Sequence, residues 1–142
     1  MNRSEALAYL ASEYKTLASV AEIEESDSAI GYKNVINSAL RELGYTESDL
    51  ATTECDYTAS VKNYTALLDY YALRRLTRVL ATKIDYSIDG QSHKEQQIYA
   101  QAKELLEEAT IIVTALGFNV GTANSMTFGT LNLDFLTSGT EF

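Results

Sequence analysis

The chain has 142 residues, of which 46% are apolar and 22% are charged, a size and composition typical of one globular domain. Its formal net charge is -9, and residues 1–60 hold eleven acidic and only four basic side chains. This acidity disfavours sequence-independent binding to nucleic acid, because an acidic surface repels the phosphate backbone.

The cysteine content and the length of the apolar stretches limit the class of protein and the compartment in which it is made. Cys55 is the only cysteine, so no intrachain disulfide can form, and a disulfide-stabilised secreted fold is excluded. The longest strongly apolar stretch, residues 109–117, is far shorter than the roughly 20 residues of a membrane-spanning helix. We therefore expect a soluble protein that is made in a reducing compartment and has no membrane partner.

Two amphipathic helices are predicted in the first third of the chain. The first begins after Ser4, a suitable N-cap, and ends at the acidic run 22–27. Its apolar stripe consists of Leu7, Leu10, Tyr14, Leu17 and Ala21. The second begins near Asp27 or Ser28, and Gly44 stands where a left-handed C-cap is expected. Its stripe consists of Tyr32, Val35, Ile36, Ala39, Leu40 and Leu43.

Two longer helices are predicted in the second half. Thr46 and Asp49 resemble a capping box, which predicts that a short helical turn begins here, ahead of the two longer helices. Residues 58–83 are apolar around most of a helical circumference, so we expect this helix at the centre of a bundle or between subunits. A last helix is predicted from the capping box of Ser92 and Glu95 to Gly117. Its predicted buried stripe consists of Ile98, Ala102, Leu105, Leu106, Ala109, Ile112, Val113 and Leu116.

A short extended arm is predicted between these two helices, over residues 84–91. Ile84, Tyr86 and Ile88 alternate as in a strand, and Asp89-Gly90 is a tight-turn pair. Tyr86, Ile88 and Asp89 are therefore candidate partner-binding residues.

Residues 117–142 depart from the helical pattern and form a tail rich in Gly, Thr and Asn. Its candidate partner-binding residues are Phe118, Val120, Met126, Phe128, Leu131, Leu133 and Phe135. These apolar side chains are too many for a solvated linker. A hairpin formed by the tail alone would be only marginally stable in water. We predict an all-α bundle of about four helices over residues 1–116 and an extended or β-prone tail over 117–142, which docks on a partner, for example at a sheet edge.

Few residues could support catalysis or metal binding. His93 is the only histidine, so a multi-histidine metal site is excluded, and any thiol dyad would have to combine His93 with Cys55. Carboxylate pairs such as Glu104 and Glu108 are expected to be solvated, and the glycines form no phosphate-binding motif. We predict a protein that is not an enzyme, with no catalytic residues, no metal and no cofactor.

The basic residues Arg74, Arg75 and Arg78 form the one basic cluster of the sequence. They are candidates for contacts between subunits, because they could meet the acidic first half of a neighbouring copy. Pairing with acidic residues of the same chain is the alternative, and the sequence leaves both open.

Three consecutive stretches together carry a family resemblance. They are Tyr64-Thr-Ala-Leu-Leu-Asp-Tyr-Tyr-Ala-Leu-Arg-Arg-Leu, then Ile84-Asp-Tyr-Ser-Ile-Asp-Gly-Gln-Ser, then Lys94-Glu-Gln-Gln-Ile-Tyr-Ala-Gln-Ala-Lys-Glu-Leu-Leu-Glu-Glu-Ala. Their order resembles that of the head-to-tail connector (adaptor) proteins of tailed bacteriophages, over residues 28–116. The first helix and the tail carry no motif of that family.

The resemblance implies a structural virion protein at the interface of head and tail, made in the host cytoplasm. Subunits of that family form a ring, commonly a dodecamer, that binds the portal protein, extends the DNA channel and supports a neck or tail protein. It implies that the tail docks on the portal or on neighbouring subunits, that the arm faces the tail side or an adjacent copy, and that DNA passes without specific binding. From the residues alone, a small helical regulatory or interaction module acting as a monomer or dimer stays open.

Overall fold

The computed structural model describes residues 1–52, 55–86 and 92–120. Within these ranges the protein is all-α, as predicted, with six helices and no strand. The helices are α1 (Arg3–Glu13), α2 (Lys15–Ala21), α3 (Lys33–Glu42), α4 (Glu47–Leu50), α5 (Val61–Tyr86) and α6 (Ser92–Ala115).

The predicted first helix is two helices with a break at Tyr14. Asn2, and not Ser4, is the N-cap of α1: its side chain accepts a hydrogen bond from the Glu5 amide, and the Glu5 carboxylate accepts one from the Asn2 amide, both at 2.9 Å. The predicted stripe is nevertheless confirmed, because its residues from Leu10 onward are buried and Leu7 packs partly buried against them. The residues of the stripe therefore keep their helical spacing across the break between α1 and α2.

The second predicted helix begins later than expected, at Lys33, because residues 22–32 form an irregular loop. The guanidinium of buried Arg3 donates two hydrogen bonds to the Asp27 carboxylate, at 2.7 and 2.8 Å, and one to the Asn37 side chain at 2.7 Å. A helix running through Asp27 would forgo this fork-shaped pairing. The stripe of α3 is buried as predicted except for Leu43, which is partly buried, and Gly44 has a φ of 103°.

Two predictions about the middle of the chain are confirmed. The side chains and amides of Thr46 and Asp49 form the reciprocal capping box that begins α4. Helix α5 is the central element, since it packs against α1, α2, α3 and α6. Its fully buried side chains include Tyr64, Leu67, Leu68, Leu76 and Leu80.

The start of the predicted arm and the start of the predicted tail both differ from expectation. Helix α5 continues to Tyr86, so residues 84–86 are helical and not extended. After α6, the φ of 101° at Gly117 turns the chain back, and the Phe118 amide donates to the Val113 carbonyl at 3.0 Å. Val120 is thereby 7% exposed, within the core.

Candidate functional site

The three arginines of the basic cluster lie together in an open cleft between α3 and α5. The cleft has a volume of about 220 Å³, and its polar lining consists of Arg74, Arg75, Arg78, Tyr71, Asn34 and Ser38. Intervals of three and four residues place these α5 side chains on one side of the helix, and the interval of four does so for Asn34 and Ser38 on α3. We call this surface the Arg cleft.

In the described part of the chain, no carboxylate neutralises the arginines of the Arg cleft. Arg75 donates to the backbone carbonyl of Gly31, and the Nε of Arg74 is buried with no hydrogen-bond partner. Within the described residues, no ion pair joins any of the three to a carboxylate. Of the two alternatives left open by the sequence, pairing with acids of the same chain does not occur in this part of the structure.

The loop of residues 22–32 contacts one of the cleft arginines, Arg75. Gly31 turns tightly in this loop, where any Cβ would collide with the carbonyl oxygen of Ser26. The Gly31 amide donates to Ser28 at 2.9 Å, and its carbonyl accepts from Arg75. A glycine is therefore required for the loop to fold back on its own backbone at this point.

Two acidic residues lie in the wider surroundings of the cleft. Burial, and to a smaller degree the Glu25 carboxylate, raises the pKa of Tyr32 to about 12. Burial also raises the pKa of Tyr71, and the Glu42 carboxylate adds to that effect. These acids act on tyrosine hydroxyls and form no ion pair with the arginines in the described part of the chain. The guanidinium groups remain available to an external anion.

A second surface lies along α6. Glu104, Leu105, Glu108, Ile111 and Ile112 recur at intervals of one, three and four residues and are all exposed. Ile111 and Ile112 are 68% and 51% exposed, and Leu105 is 41% exposed. We call this surface the α6 face. The sequence stripe had placed Leu105 and Ile112 inside the bundle, and that prediction is wrong: Ala102, Ala109 and Val113 are the residues that face α5.

The acids of the α6 face resemble the cleft arginines in their surroundings. Within the described residues, neither Glu104 nor Glu108 forms an ion pair. The neighbouring Lys103 instead has its ammonium 5.5 Å from the centre of the Tyr99 ring. The sequence contained only an ambiguous signal for this face, because Leu105, Ile111 and Ile112 widen the apolar arc of α6 without showing which part of it a neighbouring helix covers.

A half-buried carboxylate on α5, that of Asp69, was not anticipated from the sequence. One oxygen of Asp69 accepts hydrogen bonds from the hydroxyls of Tyr9 at 2.7 Å and Tyr14 at 2.6 Å. Burial raises the pKa of Asp69, although the two hydroxyls oppose the effect. The cluster does not line the Arg cleft, and it joins α1 and the α1–α2 junction to α5.

The structure locates only part of the other sequence candidates. Val120 belongs to the core and Phe118 is partly buried against it, so Val120 is not part of the docking segment predicted for it. Tyr86 ends α5, and Ile88, Asp89, Met126, Phe128, Leu131, Leu133 and Phe135 lie outside the described residues. Their partner contacts stay predictions.

Of the two reactive side chains considered in the sequence, Cys55 and His93, the structure describes only one. Cys55 is buried, and its thiol contacts the carbonyl oxygens of Asp49 at 3.2 Å and Thr52 at 3.3 Å. The side chain of His93 lies outside the described part of the structure. Across the described ranges, no group of three or more His, Cys, Asp or Glu side chains is arranged to hold a metal ion.

No family model, no curated protein and no solved structure matches this chain. Among the described helices, none has the length and apolarity needed to span a bilayer.

Proposed function

We propose that this protein is a structural subunit that assembles into a ring and connects the head of a tailed phage to its neck or tail. The single observation that carries the proposal is the α6 face. Three large apolar side chains are exposed together on one rigid helix, and contiguous apolar patches of this kind mark sites of protein association.

The rest of the fold supports an architectural role. A long central helix, α5, is enclosed by the other helices, which gives the subunit a rigid axis on which contact surfaces can be held. The resemblance of residues 28–116 to connector subunits supplies the kind of assembly, a ring beneath the portal vertex. The net charge of -9 suits a channel through which DNA passes without binding.

In this proposal the C-terminal segment fastens the ring to the portal. Val120 is buried and Phe118 is partly buried against the bundle, so we assign docking to the later part of the C-terminal segment. Its candidates are then Met126, Phe128, Leu131, Leu133 and Phe135. The arm residues Ile88 and Asp89 remain candidates for contact with the neck side or an adjacent copy.

The proposal is tested by mixing the full chain with an assembled portal ring and imaging the complex by electron microscopy. We expect an added ring of density on the portal. Ile112→Asp should lower the affinity for the portal-bound ring about tenfold or more, because a charge is placed in a desolvated contact. Val61→Asp is the matched control, since Val61 is similarly exposed, at 47%, on a different helix.

Two results would count against this function. Equal binding by Ile112→Asp and the wild type would remove the α6 face from the assembly. A full chain that ignores the portal but forms a stable dimer would instead favour the small interaction module.

A further inference from the structure

Two sets of unpaired charges lie on different surfaces of the molecule. The Arg cleft carries three arginines with no carboxylate partner, and the α6 face carries two glutamates with no basic partner, within the described residues. Arg78, Glu104 and Glu108 are exposed, so these charges are accessible to another molecule. Charge complementarity of this kind selects partners and fixes their register.

The two surfaces cannot meet within one subunit. The Arg cleft is lined by α3 and α5, whereas the α6 face points away from α5. In the described structure α3 and α6 do not contact each other, and each packs separately on α5. A contact between the surfaces therefore requires two copies of the chain.

The spacing of the charges also matches. Arg74 and Arg78 are one helical turn apart on α5, and Glu104 and Glu108 are one turn apart on α6. Side chains at this interval are about 5–6 Å apart at Cβ on either helix, so two ion pairs can form at once.

We propose that the α6 face of one copy docks in the Arg cleft of the next, with Glu104 and Glu108 against Arg74 and Arg78. Asn34 and Ser38 supply further hydrogen-bonding groups at the cleft, and Leu105, Ile111 and Ile112 supply the apolar part of the contact. This inference rests on the proposed function and names the partner surface of the same assembly. Since each copy uses two different surfaces, the contact is head-to-tail, the type that generates rings when the rotation closes.

The test uses two variants of the full chain with reversed charges. The cleft variant carries Arg74→Glu and Arg78→Glu, and the face variant carries Glu104→Arg and Glu108→Arg. Self-association is measured by sedimentation up to about 1 mM, where contacts with a Kd of that order are substantially populated. Circular dichroism checks the fold, and Arg78→Glu alone replaces the cleft variant if the double change prevents folding.

Each variant alone should associate at least about tenfold more weakly than the wild type, because like charges now face each other. An equimolar mixture should regain association, since the reversed cleft fits the reversed face and the unchanged surfaces fit each other. The wild-type contact should weaken as salt is added. Lys103→Glu is the matched control: Lys103 is exposed on the same helix but does not belong to the α6 face, and the change should leave association unaltered.

Three results would overturn the interface. A wild type that stays monomeric at about 1 mM would reject it, while the portal experiment judges the proposed function independently. A cleft variant that associates as well as the wild type would show that copies meet through other surfaces, with ring assembly still standing. A mixture that stays monomeric would show that the two reversed surfaces do not recognise each other.

Discussion

At the scale of single residues, Asp69 shows how one polar group fixes the position of a whole segment. Its carboxylate accepts hydrogen bonds from the hydroxyls of Tyr9 and Tyr14, on α1 and at the α1–α2 junction. Burial and the neighbouring carboxylate raise the pKa of both tyrosines, so they remain protonated donors. Removing the acceptor would leave two hydroxyls, one of them buried, without a partner.

The first prediction compares Asp69→Ala with Asp69→Asn. Asp69→Ala should lower the free energy of unfolding by about 1–3 kcal/mol, because the tyrosine hydroxyls lose their acceptor. Asp69→Asn should cost less, because the amide oxygen can still accept both hydrogen bonds. Urea denaturation at neutral pH measures both values.

The same residue gives a pH dependence of defined sign. Because the pKa of Asp69 is raised in the folded state, folding favours its protonated form. The part of its contribution that is linked to protonation is therefore fully present below the unfolded pKa of about 3.9 and is lost as pH rises through the higher folded pKa, whereas its hydrogen bonds to the tyrosine hydroxyls persist at neutral pH. The wild type should gain stability relative to Asp69→Asn as pH falls through this window, whereas exposed Glu107→Gln, as a control, should not reproduce the difference. A constant difference between wild type and Asp69→Asn across the window would contradict the assignment.

At the scale of elements, the end of α2 stores backbone strain. Glu22 is the C-cap, and it adopts the left-handed conformation with a φ of 60° and a ψ of 40°. Its carboxylate lies 3.2 Å from the Lys83 ammonium but is largely exposed, so the ion pair contributes little. The unfavourable conformation is compensated by the packing of Ile23 into the core directly after it.

The second prediction is that Glu22→Gly is more stable than Glu22→Ala by about 1 kcal/mol, because glycine adopts the left-handed conformation without a Cβ penalty. Both variants lose the ion pair with Lys83, so the comparison isolates the backbone term. Thermal unfolding followed by circular dichroism measures the difference. If the alanine variant were equally stable, the strain at residue 22 would be relieved elsewhere.

The elements also show which features of the fold are accessible from sequence. The capping box of Thr46 and Asp49, the left-handed Gly44 and the buried stripe of α3 depend on contacts within a few residues, and local patterns predicted them. The late start of α3 depends on Arg3, distant in sequence, which holds Asp27 in the loop. Such tertiary contacts override local helical propensity and leave no local signal.

At the scale of the whole molecule, the sequence predicted the central position of α5 but not the two surfaces as a pair. A helix that is apolar on most sides has to be surrounded, so the position of α5 followed from its composition. On α6, the apolar residues also extend over a wide arc, and the sequence could not show which part of it α5 covers. Only the packing of Ala102, Ala109 and Val113 against the core leaves Ile111 and Ile112 exposed.

The burial of Val120 leads to the last prediction, which compares chains ending at residue 116 and at residue 120. The shorter chain loses buried Val120, the partly buried Phe118 and the turn at Gly117, and its free energy of unfolding should fall by about 3 kcal/mol. The longer chain keeps these contacts, so it should unfold at the temperature of the full chain and retain the contact between the α6 face and the Arg cleft. It should nevertheless fail to hold a portal ring, because Met126, Phe128 and Leu131 are removed.

Portal binding by the chain ending at 120 would place the docking contacts in the bundle. Equal stability of the two truncated chains would show that Phe118 and Val120 add nothing to the core.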